Sequence, residues 1–179
     1  CLKEIVLRNF EKQGRRAMEQ KKRTEIALVP GSYDPVTKGH EYLIAKAAEE
    51  YEKVYAVIFV NSEKQCRFSL EKRLEMLEAV CKKYPNVTAD ADTGMQYAYA
   101  RRVGATVAVR GWRSEEDLEY EQKMAKFNAE NLPGYRMELW HCPPELEEIS
   151  STAVRRKMEE NGDVSSLIPE EILPYIAEK

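Results

Sequence analysis

From residue 25 onward, short runs rich in apolar and β-branched residues alternate with longer stretches whose apolar residues recur every three or four positions. The runs at 26–29, 54–60, 87–91, 106–109 and 137–140 suit strands covered on both faces of a parallel sheet. Between them, 41–51 sets Leu43, Ile44, Ala47 and Ala48 on one helical stripe, and 70–81 does the same with Leu70, Leu74, Leu77 and Val80. Ser69, with Glu71 in the first turn, starts the second helix, and Ser114 starts the fourth. Thr93-Gly94-Met95-Gln96 has the capping-box spacing ahead of the third. The tail adds a helix over 151–160, a turn at Asn161-Gly162-Asp163 and a last helix after Pro169. This alternation predicts an α/β fold: a Rossmann-like, doubly wound, five-stranded parallel sheet with C-terminal helices.

Composition changes that picture only at the start of the chain. Residues 1–24 hold eight Lys/Arg against three Asp/Glu, although the chain of 179 residues carries a net charge of -3. They read as a basic N-terminal extension, either a solvated, partly helical arm or a contact to a partner or upstream segment; opening on Cys1 rather than Met favours a fragment. Residues 25–179 then form one domain, which 43% hydrophobic content can supply with a core. The overall charge lacks the basic footprint of a nucleic-acid binder, so any anion site must be local. Cys1, Cys66, Cys81 and Cys142 show neither zinc nor disulfide spacing and fit free thiols in a reducing cytoplasm. There is no apolar run of membrane-spanning length and no secretory signal, so no membrane partner and a cytoplasmic location are expected.

In open parallel sheets ligands bind beyond the carboxyl ends of the strands, so the loops after strands one, two, four and five should share a crevice. The first of these reads PGSYDPVTKGH over 30–40: two glycines and two prolines restrain the backbone, and Ser32, Thr37 and His40 offer donors at a helix start. Helix amides and the positive end of the dipole make that an anion cradle. The loop over 61–67 carries Lys64, the fourth strand runs into Arg110-Gly111-Trp112-Arg113, and Ile149-Ser150-Ser151-Thr152 precedes another helix. Each alone reads as a surface charge or a cap; gathered on one rim they read as a phosphate site. His141 reads as packing or solvent-facing, and Tyr97, Tyr99 and the stripe from Met124 to Phe127 as core or subunit contacts.

On these residues the chain resembles the bacterial phosphopantetheine adenylyltransferases, within the wider nucleotidylyltransferases that share a T/H-x-G-H motif. The resemblance rests on GSYDPVTKGH at 31–40, Lys64 followed by FSLEKR at 68–73, RGWR at 110–113 with DLEYE at 117–121, ISST at 149–152 and GDV at 162–164. It runs in register from about residue 25 to the end. It implies transfer of AMP from ATP to 4′-phosphopantetheine, giving dephospho-coenzyme A and pyrophosphate, with magnesium, in a hexamer. By position, His40, Lys64 and Arg113 are the implied catalytic residues. The implied ATP contacts are Ser32, Tyr33, His40, Gly111, Trp112, Arg113, Glu121 and the segment Leu146, Glu147, Glu148, Ile149, Ser150, Ser151 and Thr152. Ser32, Lys64, Gln96 and Arg110 fall at the implied acceptor site, and no protein metal ligand is implied.

The chemistry suits this cast. An attacking phosphate with a second pKa of about 6 is already anionic near neutrality, so no general base is required. The enzyme must supply alignment and positive charge, for which His40, Lys64, Arg110 and Arg113 are the expected tools. The sequence departs from the family pattern at Gln65-Cys66, at Gly94-Met95-Gln96 and at Leu146-Glu147-Glu148, where two carboxylates would repel a triphosphate unless they point to solvent or to magnesium. Two other readings stay open: a related transferase with another phosphate acceptor, and a catalytically silent nucleotide-binding module.

Overall fold

The computed structural model describes residues 22–61 and 65–177. The elements are β1 (Arg23–Gly31), α1 (Lys38–Glu50), β2 (Tyr51–Phe59), α2 (Leu70–Cys81), β3 (Val87–Asp92), α3 (Gln96–Val103), β4 (Val107–Trp112), α4 (Glu115–Asn131), β5 (Arg136–His141), α5 (Ser151–Glu159) and α6 (Leu173–Ala177). Single 3₁₀ turns occupy Pro144–Leu146 and Glu170–Ile172. All five strands are parallel, in the order β3-β2-β1-β4-β5. The chain thus winds outward from β1 to β3, returns to β4 on the other side of β1, and leaves the switch point between β1 and β4. That is the doubly wound, Rossmann-like sheet with C-terminal helices that the alternation predicts.

Side chains of a strand alternate between faces, and each face here has its own core. Ala27 and Val29 of β1, with Val54, Ala56 and Ile58 of β2, meet Ile44 and Ala47 of α1, Met76, Leu77 and Val80 of α2, and Val154, Ile168 and Ile172 from the C-terminal segment. Leu28, Val57 and Ala108 point the other way, against Tyr99 and Ala100 of α3 and Tyr135. The Tyr99 hydroxyl donates to Asp90 at 2.7 Å, so Tyr99 is a core residue with a satisfied polar tip.

Three expectations are corrected. β1 starts at Arg23, whose polar neighbours hide the strand from an apolar count. Tyr51 is both the extended cap of α1 and the first residue of β2, so helix and strand join without a loop. Thr93 does not cap α3: Met95 holds the N-cap position without a side-chain bond, and Gln96 donates instead to the Tyr135 hydroxyl at 2.9 Å. The segment after Pro169 is a 3₁₀ turn running into the short α6. Residues 1–21, nearly all of the expected basic extension, and Lys64 lie outside the described residues. Among the described residues no helix is long and apolar enough to cross a membrane.

Candidate active site

The loop after β1 is fixed before any ligand arrives. Tyr33 sits at φ 49, its hydroxyl donates to the Val29 carbonyl at 2.6 Å, and its ring lies 4.8 Å from that of His40. The buried Asp34 carboxylate accepts the backbone N–H groups of Arg67 and Phe68, both at 2.9 Å, which clamps the segment after β2 against this loop. From α2, Arg73 donates to the Ser32 carbonyl at 2.8 Å.

Thr37 then caps α1, and the T-x-G-H motif acquires a local physical meaning. The Thr37 hydroxyl accepts from the His40 N–H at 3.4 Å, while the Thr37 N–H donates to His40 Nδ1 at 3.0 Å. This is a capping box in which an imidazole takes the place usual for Glu or Gln. Because Nδ1 accepts, the neutral ring carries its proton on Nε2. Burial, and then the charges of Arg110 and Arg113, push the His40 pKa down to about 3. In the protein alone His40 is therefore a neutral hydrogen-bond donor near pH 7.

At the end of β4, Arg110 is held on two sides. Its Nε lies 3.0 Å from both oxygens of Glu121, Nη2 donates to Glu121 Oε1 at 2.5 Å, and Nη1 donates to the Pro30 carbonyl at 2.5 Å. Burial works against the guanidinium charge, but the Glu121 carboxylate more than offsets it, and the arginine pKa is raised. Gly111 is tightly enclosed: a Cβ there would meet Leu43 Cδ1 at 3.0 Å and Cys142 Sγ at 3.1 Å, so either side chain would have to give way. Arg113 is tied by Nε to Asp117 at 3.2 Å and by Nη1 to the Ile149 carbonyl at 3.4 Å. Ser114 caps α4, accepting from the Asp117 N–H at 3.2 Å.

Two adjoining cavities open at this rim. The first, of about 520 Å³, is lined by Ser32, Tyr33, Asp34, Thr37, His40, Gln65, Cys66, Arg110, Gly111, Arg113, Leu146, Ile149, Ser150, Ser151, Thr152 and Arg155, among others. It receives the N-termini of α1 and α5, the latter capped by Ser150, which accepts from the Ala153 N–H at 3.0 Å. Two helix dipoles and three guanidinium groups thus face one space. The second cavity, of about 390 Å³, has walls from Phe59, Met95, Met124, Phe127 and Met137, with Asn61, Gln96, Tyr120, Glu121 and Asn128 as polar points. Pro30, Ser32 and Arg110 belong to both.

His40 and Arg113 therefore share a wall, as one nucleotide would require. Ser32, Gln96 and Arg110 meet at the second cavity. Trp112, Glu121, Glu147 and Glu148 do not line the first. The Trp112 ring lies tilted against that of His141 with centroids 4.3 Å apart, and Glu147 Oε1 turns to His141 Nε2 at 3.6 Å. Glu148 is exposed. The acidic pair of this loop thus leaves only Leu146 and Ile149 facing the cavity. Met124 and Phe127, expected as core or subunit contacts, line the second cavity.

Sequence reasoning missed two residues. Asp34 reads as an ordinary turn residue before proline, and its clamp on Arg67 and Phe68 is a long-range contact with no local signal. Arg155 had one: it lies one turn beyond Thr152, so a helix starting at ISST carries both on the same side. It donates to the Asp34 carbonyl at 2.7 Å and to the Thr152 hydroxyl at 3.1 Å. Among the described residues, no group of three or more His, Cys, Asp or Glu side chains could hold a metal ion.

A doubly wound parallel sheet that gathers two helix N-termini and three arginines at its switch point is the framework of a nucleotidyltransferase. A cytidylyltransferase-like family model matches residues 28–157. A phosphopantetheine adenylyltransferase of Clostridium perfringens is 34% identical over 154 residues, covering 86% of this chain and 94% of the relative. One from Alkaliphilus metalliredigens is 32% identical over 155 residues, covering 87% and 99%. The chain belongs to the cytidylyltransferase-like family and, within it, to the phosphopantetheine adenylyltransferases. In fold it also matches the Plasmodium falciparum nicotinic acid mononucleotide adenylyltransferase solved in complex with NaAD, with a TM-score of 0.59 at 15% identity, covering 86% of this chain and 95% of that one.

Proposed function

We propose that this protein transfers AMP from ATP to 4′-phosphopantetheine, yielding dephospho-coenzyme A and pyrophosphate. The observation that carries the reading is the pair of adjoining cavities. A cationic one with two helix N-termini suits a triphosphate, and one with Met and Phe walls and interspersed polar points suits the pantetheine arm, a chain of methylenes broken by amides. Their common boundary at Pro30, Ser32 and Arg110 is where the acceptor phosphate would meet the α-phosphate.

In the proposed step an oxygen of the acceptor phosphate bonds to the α-phosphorus while the bond from that phosphorus to the β-bridging oxygen breaks, and pyrophosphate leaves with the electron pair. The acceptor oxygen is already anionic, so no proton has to be removed. His40 Nε2–H donates to an α-phosphate oxygen as charge gathers there. Arg113 and Arg155 hold the departing phosphates, and Arg110 holds the acceptor phosphate against its own charge repulsion with the nucleotide. Lys64 is proposed for the same junction on the resemblance alone. Magnesium would arrive with the triphosphate, held by its oxygens more than by protein ligands, and would offset part of its charge. A hexameric assembly, implied by the resemblance, and a cytoplasmic location, expected from the scattered cysteines and the lack of a secretory signal, belong to the same proposal.

The test is pyrophosphate release from ATP in the presence of 4′-phosphopantetheine, nicotinate mononucleotide or a small alcohol phosphate, with the product identified by mass. Release with 4′-phosphopantetheine alone, giving dephospho-coenzyme A, is expected. Release with another acceptor would favour the related transferase, and binding of ATP without release would favour the silent module.

A further inference from the structure

Glu121 would be expected, from its place in the DLEYE segment, to touch the nucleotide, yet its surroundings assign it another partner. Its side chain is only 7% exposed, against 31% for Arg110, and both of its oxygens lie within 3.0 Å of the Arg110 guanidinium. Glu121 lines the second cavity and not the first. We infer that Glu121 is a positioning residue for the acceptor phosphate, acting through Arg110; the inference rests on the adenylyl-transfer reading above.

A guanidinium has five N–H donors. Three are committed: Nε–H and one on Nη2 to Glu121, and one on Nη1 to the Pro30 carbonyl. One N–H on each terminal nitrogen remains to reach phosphate oxygens. Glu121 and the end of β1 thus choose which edge of the fork is presented at the boundary of the two cavities. The long arginine side chain otherwise has many rotamers to search, and the acceptor oxygen must approach in line with a leaving group. The pair also has a net charge near zero when no ligand is bound, which makes the buried Glu121 carboxylate tolerable.

Direct contact with ATP and action through Arg110 make different predictions. Wild type, Glu121→Gln, Arg110→Ala and the double variant are compared by steady-state kinetics with 4′-phosphopantetheine, and by calorimetric titration with ATP in the absence of acceptor. Circular dichroism and thermal melts check the fold of each. Glu121→Gln is expected to raise the KM for 4′-phosphopantetheine by about tenfold, with the ATP Kd changed by less than about twofold. In the Arg110→Ala background the same change is expected to add almost nothing, because its intermediary is gone. Glu121→Asp, which keeps the carboxylate, is expected to recover part of the loss. An ATP Kd weakened with acceptor KM unchanged, or effects that multiply independently in the double variant, would overturn the inference. If Glu121→Gln melts early, Glu121→Asp and the double variant, in which no buried charge is left alone, still decide between the two routes. Wild-type protein that turns over no 4′-phosphopantetheine would instead overturn the function on which the inference rests.

Discussion

At the scale of single residues, His40 links helix geometry to chemistry. Its Nδ1 is occupied by the Thr37 N–H, so the proton available to a ligand sits on Nε2. Gln at this position would preserve the capping box, since a capping box ordinarily ends in Glu or Gln. His40→Gln should therefore keep the wild-type fold while lowering kcat by about 10²–10³-fold, the usual loss for one preorganised donor to developing charge. The same variant tests the ring's protonation. A folded pKa of about 3 lies below the unfolded histidine value of about 6.5. Between those pH values the unfolded chain binds a proton that the folded chain refuses, so stability falls as pH is lowered through that window, by up to about 1.4 kcal/mol per pH unit. Thermal melts from pH 7 to 5 should fall more steeply for wild type than for His40→Gln. The motif offered this residue as a donor at a helix start, but its neutrality in the folded protein was not legible there. That depends first on burial in the fold and then on Arg110 and Arg113, about 70 residues away along the chain.

At the scale of elements, helix starts account for much of the site. Ser150 caps α5 at the wall of the first cavity, and its hydroxyl both ends the helix ladder and orients amides toward the ligand space. Ser150→Ala should cost about 1 kcal/mol, seen as a fall in Tm of about 3 °C, together with weaker ATP binding in calorimetry. A melt shifted this way with unaltered ATP affinity would confine Ser150 to a structural role. Legibility follows the same physics. Ser69, Ser114 and Ser150 announced their helices because the cap bond is local. Thr93 misled because spacing alone cannot reveal that Gln96 is claimed by Tyr135, 39 residues on. Strand centres were visible as apolar runs, while their polar ends at Arg23 and Arg136 were not.

At the scale of the molecule, the sheet separates what stabilises from what reacts. At its foot, Glu25 of β1 pairs with Arg136 of β5 at 2.6 Å and accepts from Thr106 at 2.9 Å, while Glu138 accepts from Arg23 at 2.7 Å, a network that spans β4. Arg136→Gln should cost about 0.5–1 kcal/mol at low ionic strength and less in 1 M salt, where screening shortens to about 3 Å. Because the network lies at the end opposite the crevice, kcat and KM should stay at wild-type values; altered kinetics would show that foot and rim are coupled. The alternating pattern was enough to predict a parallel sheet and a crevice beyond its carboxyl ends, because burial on both faces writes itself into the sequence. Which loops would divide into two cavities, and that Arg110 would stand between them, depends on the strand order β3-β2-β1-β4-β5. The account depends most on one triphosphate lying in the first cavity with its α-phosphate turned to the shared boundary. Difference density from a crystal soaked with α,β-methylene-ATP, which cannot transfer its nucleotidyl group, tests that directly. The account predicts the α-phosphate within hydrogen-bonding distance of His40 Nε2, the outer phosphates against Arg113 and the start of α5, and the second cavity left open; a nucleotide seated in the second cavity, or with its phosphates away from His40 and Arg113, would contradict it.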